Sequence, residues 1–499
     1  MTGNYPALLV TVPLLAAFVI YGCSWLHKRS CLFMALLGLT IPFAISVALL
    51  KKVLINGHIS YHLGGWDPPW GIAYELDPIN AIVLVAVTTV ALVNLIATSK
   101  EIETRFSDRR GAFYALYLLF VVGLLGIVAT GDLFNLYVLL EIASITGYSL
   151  IAMGDPARAP LSSLNYVFMG TIGACFYLLG VGYIYIMTGS LNMADVHALL
   201  PPLYHSSAIV VAFIFCLVGV MIKMGFFPLH SWLPNAYTYV PSPAASLIAP
   251  LMTKVMAYVM IRLMISVFSP KFVFSSIAAS NAVVWLACLA IVMGALMALA
   301  QRDVRRMLTY IIVSEIGYIV GGAWIGNATA MSGAVLHIIN DVLMTFCVFL
   351  SLGAIARSTK GYQIENFSGL FKKIPVTMAT FVVSGLSIIG IPPTCGFFSK
   401  WYLILGAIEG GHYGFIVVLL LSSLINIILF FRIFEEAFFV YPKTNAVHTE
   451  GEASIAIAET PFVTLIPLVL TAILLIFTGI YSGSLIALII KPVVSAGLL

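Results

Sequence analysis

Uninterrupted apolar stretches long enough to cross a lipid bilayer fix what this chain can fold into. A helix needs roughly 20 apolar residues to span the hydrocarbon. Lipid offers no partner for a free backbone N–H or C=O, so each long apolar span must close its hydrogen bonds internally as a helix. Reading along the 499 residues gives fourteen such spans, at about 5–26, 30–50, 77–99, 112–130, 132–153, 161–188, 206–238, 243–268, 280–300, 307–325, 330–356, 375–408, 413–440 and 461–490. The fourth and fifth nearly fuse at Gly131. Only 9% of residues are charged, against about 25% in a soluble domain. The expected class is therefore all-α and polytopic.

Several function classes drop out. The 24 basic and 20 acidic residues include no basic run interleaved with aromatics, which argues against a nucleic-acid partner. No basic region precedes the first apolar stretch, and Lys28 and Arg29 follow it, so residues 5–26 read as a retained helix rather than a cleaved leader. The seven cysteines form no C-x-x-C pair and sit mostly in apolar runs, as small packing residues do. Of nine histidines only His230 and His337 fall at membrane depth, which argues against a bis-histidine haem. No metal or cofactor is expected, and no nucleophile–base pair or phosphate loop marks this chain as an enzyme in itself.

Loop charge gives an orientation. Loops after odd-numbered spans carry Lys28, Arg29, Lys100, Arg105, Arg109, Arg110, Arg158, Arg302, Arg305, Arg306, Arg357, Lys360, Lys372, Lys373 and Lys443. The other side carries Lys51, Lys52, Lys271 and Lys491. The positive-inside rule then places both termini outside and the odd loops in the cytoplasm. Residues 51–77, rich in Gly, Pro and aromatics, predict an external hairpin, and 441–460 a polar cytoplasmic loop or surface helix.

Two spans break themselves. The seventh, "LVGVMIKMGFFPLHSWLPNAY", carries Lys223 and stops at Phe227-Pro228. The twelfth, "SGLSIIGIPPTCGFFSKWYLILGA", stops at Pro392-Pro393 and resumes near Cys395 with Lys400. Proline removes a backbone donor and ends a helix. Both regions contain Gly-Phe-Phe near a lysine. Five spans separate the breaks, and repeats of five helices must run inverted because five is odd. Inverted repeats with one discontinuous helix each are a transporter design, with ion sites at the breaks. Two unrelated proline kinks are the alternative.

Charges at membrane depth sharpen this reading. Glu141 lies between Asp132 and Asp155; Lys223 lies deep in the seventh span; Lys254 follows Pro243; Lys400 follows the second break. A charge at helix centre costs about 2.5–3.5 kcal/mol on insertion scales, so several in one chain need a reason. The functional reason is a proton or cation path; the alternative is a set of buried salt bridges that fix packing. Lys254 and Lys400 have no obvious acid partner in the pattern. His337 and Asp341, four apart, share a helix face, and form either a proton relay through water or a static pair. Two further candidates are His230, just past the first break, and Glu315, taken to lie near a helix end. Arg262 and Arg432 read as interfacial, with their heads drawn to the membrane surface.

The stretches "GDLFNLYVLLEI", "TGSLNMADV", "KMGFFPLHSWLPNAY", "LMTKVMAYVMIR", "DVRRMLTYIIVSEIGY" and "GFFSKWYL" resemble the antiporter-like subunits of the complex I/Mrp superfamily. They look most similar to the D subunit of Mrp-type multisubunit cation/proton antiporters and to the equivalent subunit of membrane-bound, complex I-like hydrogenases. The resemblance covers roughly residues 75–440. It implies about 14 transmembrane helices with two inverted five-helix repeats. The expected divisions are 1–110 for helices 1–3, 111–268 and 280–440 for the repeats, and 441–499 for a loop and the last helix. It also implies that Glu141 pairs with Lys223, that Lys254 continues a central hydrophilic axis, and that Lys400 ends it. The sequence departs from the family in span eleven: Asp341 stands where histidine is usual and Met344 about where lysine is usual. Methionine carries no proton, so His337, Asp341 and water must serve there.

The expected function is proton or cation translocation along Glu141, Lys223, Lys254, His337, Asp341 and Lys400, in the cytoplasmic membrane of a prokaryote, among other membrane subunits, with protons and Na+ as candidate cargo. An ammonium beside a carboxylate holds its proton, and separating the pair lets it go. The first reading is an Mrp-type antiporter subunit. The others are the pump module of a complex I-like hydrogenase or dehydrogenase, whose redox centres would sit on partner chains, and a transport-silent scaffold.

Overall fold

The computed structural model describes residues 2–25, 27, 30–277, 279–359, 361–439 and 458–498. Most of the 441–460 stretch, with Lys28, Arg29, Lys360 and Lys443, lies outside the described residues. The chain opens with α1 Tyr5–Cys23, α2 Ser30–Asn56, strands β1 Ile59–His62 and β2 Ala73–Leu76, and α3 Pro78–Arg105. The next group is α4 Arg110–Ala129, α5 Leu133–Ala152, α6 Ala159–Thr188, short α7 Met193–Leu199, α8 Ser207–Met224, short α9 Leu233–Tyr239 and α10 Ser242–Arg262. Then come α11 Ser280–Leu299, α12 Val304–Trp324, α13 Ala328–Ala356, short α14 Leu370–Lys373, α15 Pro375–Ile389, α16 Cys395–Glu409 and α17 Tyr413–Phe439. The last are α18 Phe462–Ile480, α19 Ser482–Leu485 and α20 Lys491–Leu498.

Among the described residues, thirteen helices are long and apolar enough to cross a membrane. The broken pair α15 and α16 supplies the remaining predicted crossing from two shorter pieces. The predicted single helix over 461–490 is a correction: it ends at Ile480, turns at Tyr481, and a separate helical run continues from Ser482 to Leu498. Lys51 and Lys52, read as loop charges, lie inside α2. The predicted hairpin is present, with Ile59 opposite Leu76 and His62 opposite Ala73. It is fastened to the α4–α5 link by Gly131 N donating to Ala73 O at 2.8 Å. His58 Nε2 lies 2.8 Å from Glu75 Oε2, and that hydrogen bond pushes the His58 imidazole above its ordinary value, against the opposing effect of burial.

The interior is set by which helices have no lipid face. α10 is buried along its whole length, and α12 and α13 nearly so. α1 and α2 expose Phe18, Phe33 and Ile41, as the outer helices of a bilayer protein do. Polar groups on α10, α12 and α13 therefore point into protein.

One device recurs in both halves. Asp132 caps α5 by accepting from Asn135 N, and Asp303 caps α12 by accepting from Arg306 N, satisfying donors that a helix start leaves free. Asp132 bridges Asn192, and Asp303 bridges Gln363. Leu133 N donates to Leu191 O and Met193 N to Gly131 O; Val304 N donates to Tyr362 O and Ile364 N to Arg302 O. Each partner in the second set lies the same number of residues further along the chain. The link that starts the first repeat is thus rebuilt at the start of the second.

The breaks also correspond, though not by the Gly-Phe-Phe echo. Gly225 ends α8 with φ 70° and Gly390 ends α15 with φ 91°, both left-handed, where glycine closes a helix without a Cβ penalty. Each is followed three residues later by a proline, Pro228 or Pro393. Gly225-Phe226-Phe227 lies in the first break, whereas Gly396-Phe397-Phe398 lies inside α16. The shared triplet is a sequence coincidence relative to the fold. Gly225→Ala places a Cβ in the left-handed region and 2.5 Å from Leu233 Cδ1. The expected loss is about 1–2 kcal/mol, read as a lowered unfolding midpoint of the purified protein in detergent.

Candidate functional site

The first cluster joins α5 to α8. Lys223 Nζ lies 2.9 Å from Glu141 Oε1 and 2.8 Å from Ser144 Oγ. Glu141 and Ser144 are three apart, on one face of α5. Lys223 is buried, while the Glu141 side chain is 24% exposed on the side of the bundle. Lys223 stands in the last turn of α8, where the helix dipole favours a cation. The break therefore does two things for the lysine: it ends the helix just past it and leaves terminal carbonyls nearby. Trp232 holds one of these, donating from Nε1 to Ile222 O at 3.0 Å, with its ring stacked on Tyr166.

The second cluster joins α10 to α13. Lys254 Nζ lies 3.2 Å from Asp341 Oδ2 and 3.2 Å from Thr345 Oγ1, and Thr345 donates to Asp341 Oδ1 at 2.7 Å. The sequence offered Lys254 no acid partner. Asp341 is that partner, brought across by helix packing. An unpaired charge at this depth is strongly destabilising, so pairing is what burial demands.

The third cluster joins α12, α13 and α16. His337 Nε2 lies 2.7 Å from Glu315 Oε2, and Nδ1 lies 2.9 Å from Ser399 Oγ. Two expectations are corrected here. His337 and Asp341 do share a face of α13, yet their direct partners are different groups. Glu315 does not lie near a helix end: it sits within α12, buried. Glu315, His337 and Asp341 each present a ligand atom within 4.8 Å of the others.

Lys400 is buried in α16 and reaches back over the second break. Its ammonium donates to Ile388 O at 2.7 Å, Ile389 O at 3.3 Å and Ser423 Oγ at 3.2 Å. It thereby closes the C-terminal carbonyls of α15, a favourable place for a cation. It also stands 4.9 Å from the Tyr318 ring centroid, within cation–π range. Among the described residues no carboxylate lies within ion-pair distance of it.

His230 lies in the first break, near Phe227 and Tyr310, with Nδ1 unpartnered among the described residues. It joins none of the three clusters. Arg262 is not drawn to an interface; it is buried and donates to Val128 O at 3.0 Å, on the last turn of α4. Arg432 is exposed. Met344 is buried and its sulfur stands 2.9 Å from where a Cβ on Gly396 would lie. Sequence reasoning missed Ser144, Thr345, Ser399 and Ser423. The available signal was a hydroxyl three or four residues from a buried charge (Glu141/Ser144, Asp341/Thr345), or beside one (Ser399/Lys400).

Residues 130–426 match the family described as NADH:quinone oxidoreductase/Mrp antiporter, TM. The chain is 40% identical to the N subunit of a NADH-quinone oxidoreductase of Desulforudis audaxviator, over 98% of each chain. It is 33% identical to the D subunit of a Na(+)/H(+) antiporter of Alkalihalophilus pseudofirmus, over 94% of each. Its fold is similar to a chain of the membrane-bound sulfane sulfur reductase, an archaeal respiratory membrane complex, with a TM-score of 0.90, 27% identity and 99% of each chain covered. On this profile match and these full-length likenesses, the chain belongs to the NADH:quinone oxidoreductase/Mrp antiporter family of membrane subunits.

Proposed function

We propose that this chain moves protons sideways through the membrane interior, along Glu141, Lys223, Lys254, Asp341, Glu315, His337 and Lys400, as an ion-translocating subunit of an Mrp-type cation/proton antiporter. The observation that carries the reading is the succession of inward, partnered titratable groups: Lys223 held by Glu141, then Lys254, Asp341, Glu315 and His337 on helices buried nearly throughout, then Lys400 over the second break. Intramembrane ionisable groups turned inward and paired mark ion paths. Among the described residues no hydrogen bond joins the Lys223 cluster to the Lys254 cluster, so water completes that step. His230 at the break is a lateral candidate. The repeats are taken as 111–268 and 280–440, with helices 1–3 in 1–110 and the last helix in 441–499. Loop charge supports termini outside the cytoplasmic membrane of a prokaryote, and partners that are other membrane subunits.

A second reading, the pump module of a redox complex, is favoured by the 40% identical relative, which is named for NADH-quinone oxidoreductase. Gentle purification and mass spectrometry of co-purifying chains separates the two. The antiporter reading expects further antiporter subunits; chains with nickel or iron–sulfur motifs would replace it with the redox one. Proton flux in proteoliposomes tests translocation itself, and a complex whose flux ignores every substitution along the axis leaves only a scaffold.

A further inference from the structure

A buried charge that the proton path does not use stands on the outward side of Lys254. Lys254, Tyr258 and Arg262 are four apart on α10 and so share a helix face. At 1.5 Å per residue Arg262 stands about 12 Å beyond Lys254, with Tyr258 about halfway. All three are buried. Arg262 Nη1 donates to Val128 O at 3.0 Å, and Tyr258 Oη points to the same carbonyl at 3.5 Å. Two residues further on, Thr130 bridges Tyr74 of the β1–β2 hairpin. The column therefore runs from the central cluster to the hairpin side of the protein.

That side has an acidic rim. Glu75 lies on β2 with His58 against it, Asp77 caps α3 and Asp132 caps α5. The titratable groups that feel the Arg262 charge are His58, Glu75, Tyr177 and Tyr258, with Asp77 beside Tyr258 and Asp132 beside Tyr177. Among the described residues no carboxylate lies within ion-pair distance of Arg262. Capping Val128 O needs one donor, and Tyr258 offers one already, so a charge that is costly at this depth exceeds what the cap requires. Acidic clefts gather cations, and a hydroxyl one turn from Lys254 would pass a proton inward. A guanidinium keeps its protons and cannot relay one, and a fixed arginine charge is a known means of excluding protons from a pore.

We propose that Arg262 is a fixed positive barrier between the outer rim and Lys254, which holds protons on the lateral path by repelling them from the Tyr258 step. One unit charge a helical turn away inside a protein lowers proton occupancy by about one to two decades. The inference rests on Lys254 carrying protons.

The test is the collapse of an imposed proton gradient, acid on the hairpin side, across proteoliposomes holding the intact complex, with neither exchange cation nor redox substrate present. Arg262→Gln keeps a donor for Val128 O and removes the charge, and its leak is expected to rise at least about tenfold. Adding Tyr258→Phe removes the hydroxyl step and is expected to return the leak to the wild-type level. An unchanged leak in Arg262→Gln overturns the barrier; so does a raised leak that Tyr258→Phe leaves in place, since that marks loosened packing. Because the glutamine variant risks failing to assemble, Arg262→Lys is measured as well. A buried ammonium gives up its proton as pH rises and a guanidinium does not, so this variant is expected to seal in acid and leak in alkali, while the wild type seals throughout. A lysine variant whose leak ignores pH overturns the proposal. Lateral flux in Glu141→Gln separates the two readings: normal flux there sinks the path, whereas the leak measurements alone decide the barrier.

Discussion

Glu141→Gln assembles with its complex and loses proton flux by roughly 10- to 100-fold. Glutamine has nearly the same shape and still accepts a hydrogen bond from Lys223 Nζ, now 2.9 Å from Glu141 Oε1. What it removes is the charge. Hydrogen bonds to charged groups are worth about 1.5–3 kcal/mol, and each 1.4 kcal/mol is tenfold in an equilibrium, which sets the expected range. The loss falls on the occupancy of the proton that Lys223 carries. Glu141 is the one carboxylate at that lysine among the described residues, and Ser144 supplies no charge in its place. Glu141→Asp keeps the charge on a shorter stem and recovers part of the flux, which a purely steric role would not produce. Proton uptake by proteoliposomes under an imposed potential is the readout, since one charge through 100 mV involves about 2.3 kcal/mol. Wild-type flux in the Gln variant removes Glu141 from the path.

How much of this was readable beforehand follows a physical line. Apolar length announced the spans, because lipid forces every long apolar stretch to close its own hydrogen bonds. The breaks were visible as prolines, and the hairpin as a Gly- and Pro-rich gap. Glu141–Lys223 came from a resemblance, since 82 residues separate the two in sequence. Lys254–Asp341 and Glu315–His337 were not readable as pairs: sequence spacing fixes which residues share a helix face, not which face meets which. His337 and Asp341 show the limit, sharing a face as spacing requires while bonding to different helices. The Gly-Phe-Phe echo failed for a related reason. Backbone conformation, with Gly225 and Gly390 left-handed, aligns the breaks, and neighbouring side chains are free to drift. The turn at Tyr481 was missed although Gly479, Ser482, Gly483 and Ser484 mark it in the sequence, because the apolar stretches on either side of that short cluster read together as one span.

Lys254→Met is the substitution with the largest expected effect on stability. It leaves Asp341 buried with no cation within ion-pair distance among the described residues, and removing one member of a buried pair costs about 3–5 kcal/mol. Asp341→Leu alone strands the ammonium of Lys254 in the same way. The double variant Lys254→Met/Asp341→Leu buries neither charge. Thr345, deprived of Asp341 Oδ1, can turn its hydroxyl to the carbonyl four residues back. The double variant is therefore expected to regain most of the lost stability, which makes the two substitutions strongly non-additive, as contacting residues are. Proton flux follows a different course. It is lost in each single variant and stays lost in the double, because well-packed methionine and leucine restore the fold without restoring a group that holds a proton. Unfolding midpoints and flux measured on the same four proteins separate the two roles of the pair. If flux returns with stability, Lys254 and Asp341 hold the bundle together and protons go elsewhere. If stability returns alone, the charges are kept in the membrane interior for transport, at a cost in folding that a hydrophobic pair would not incur.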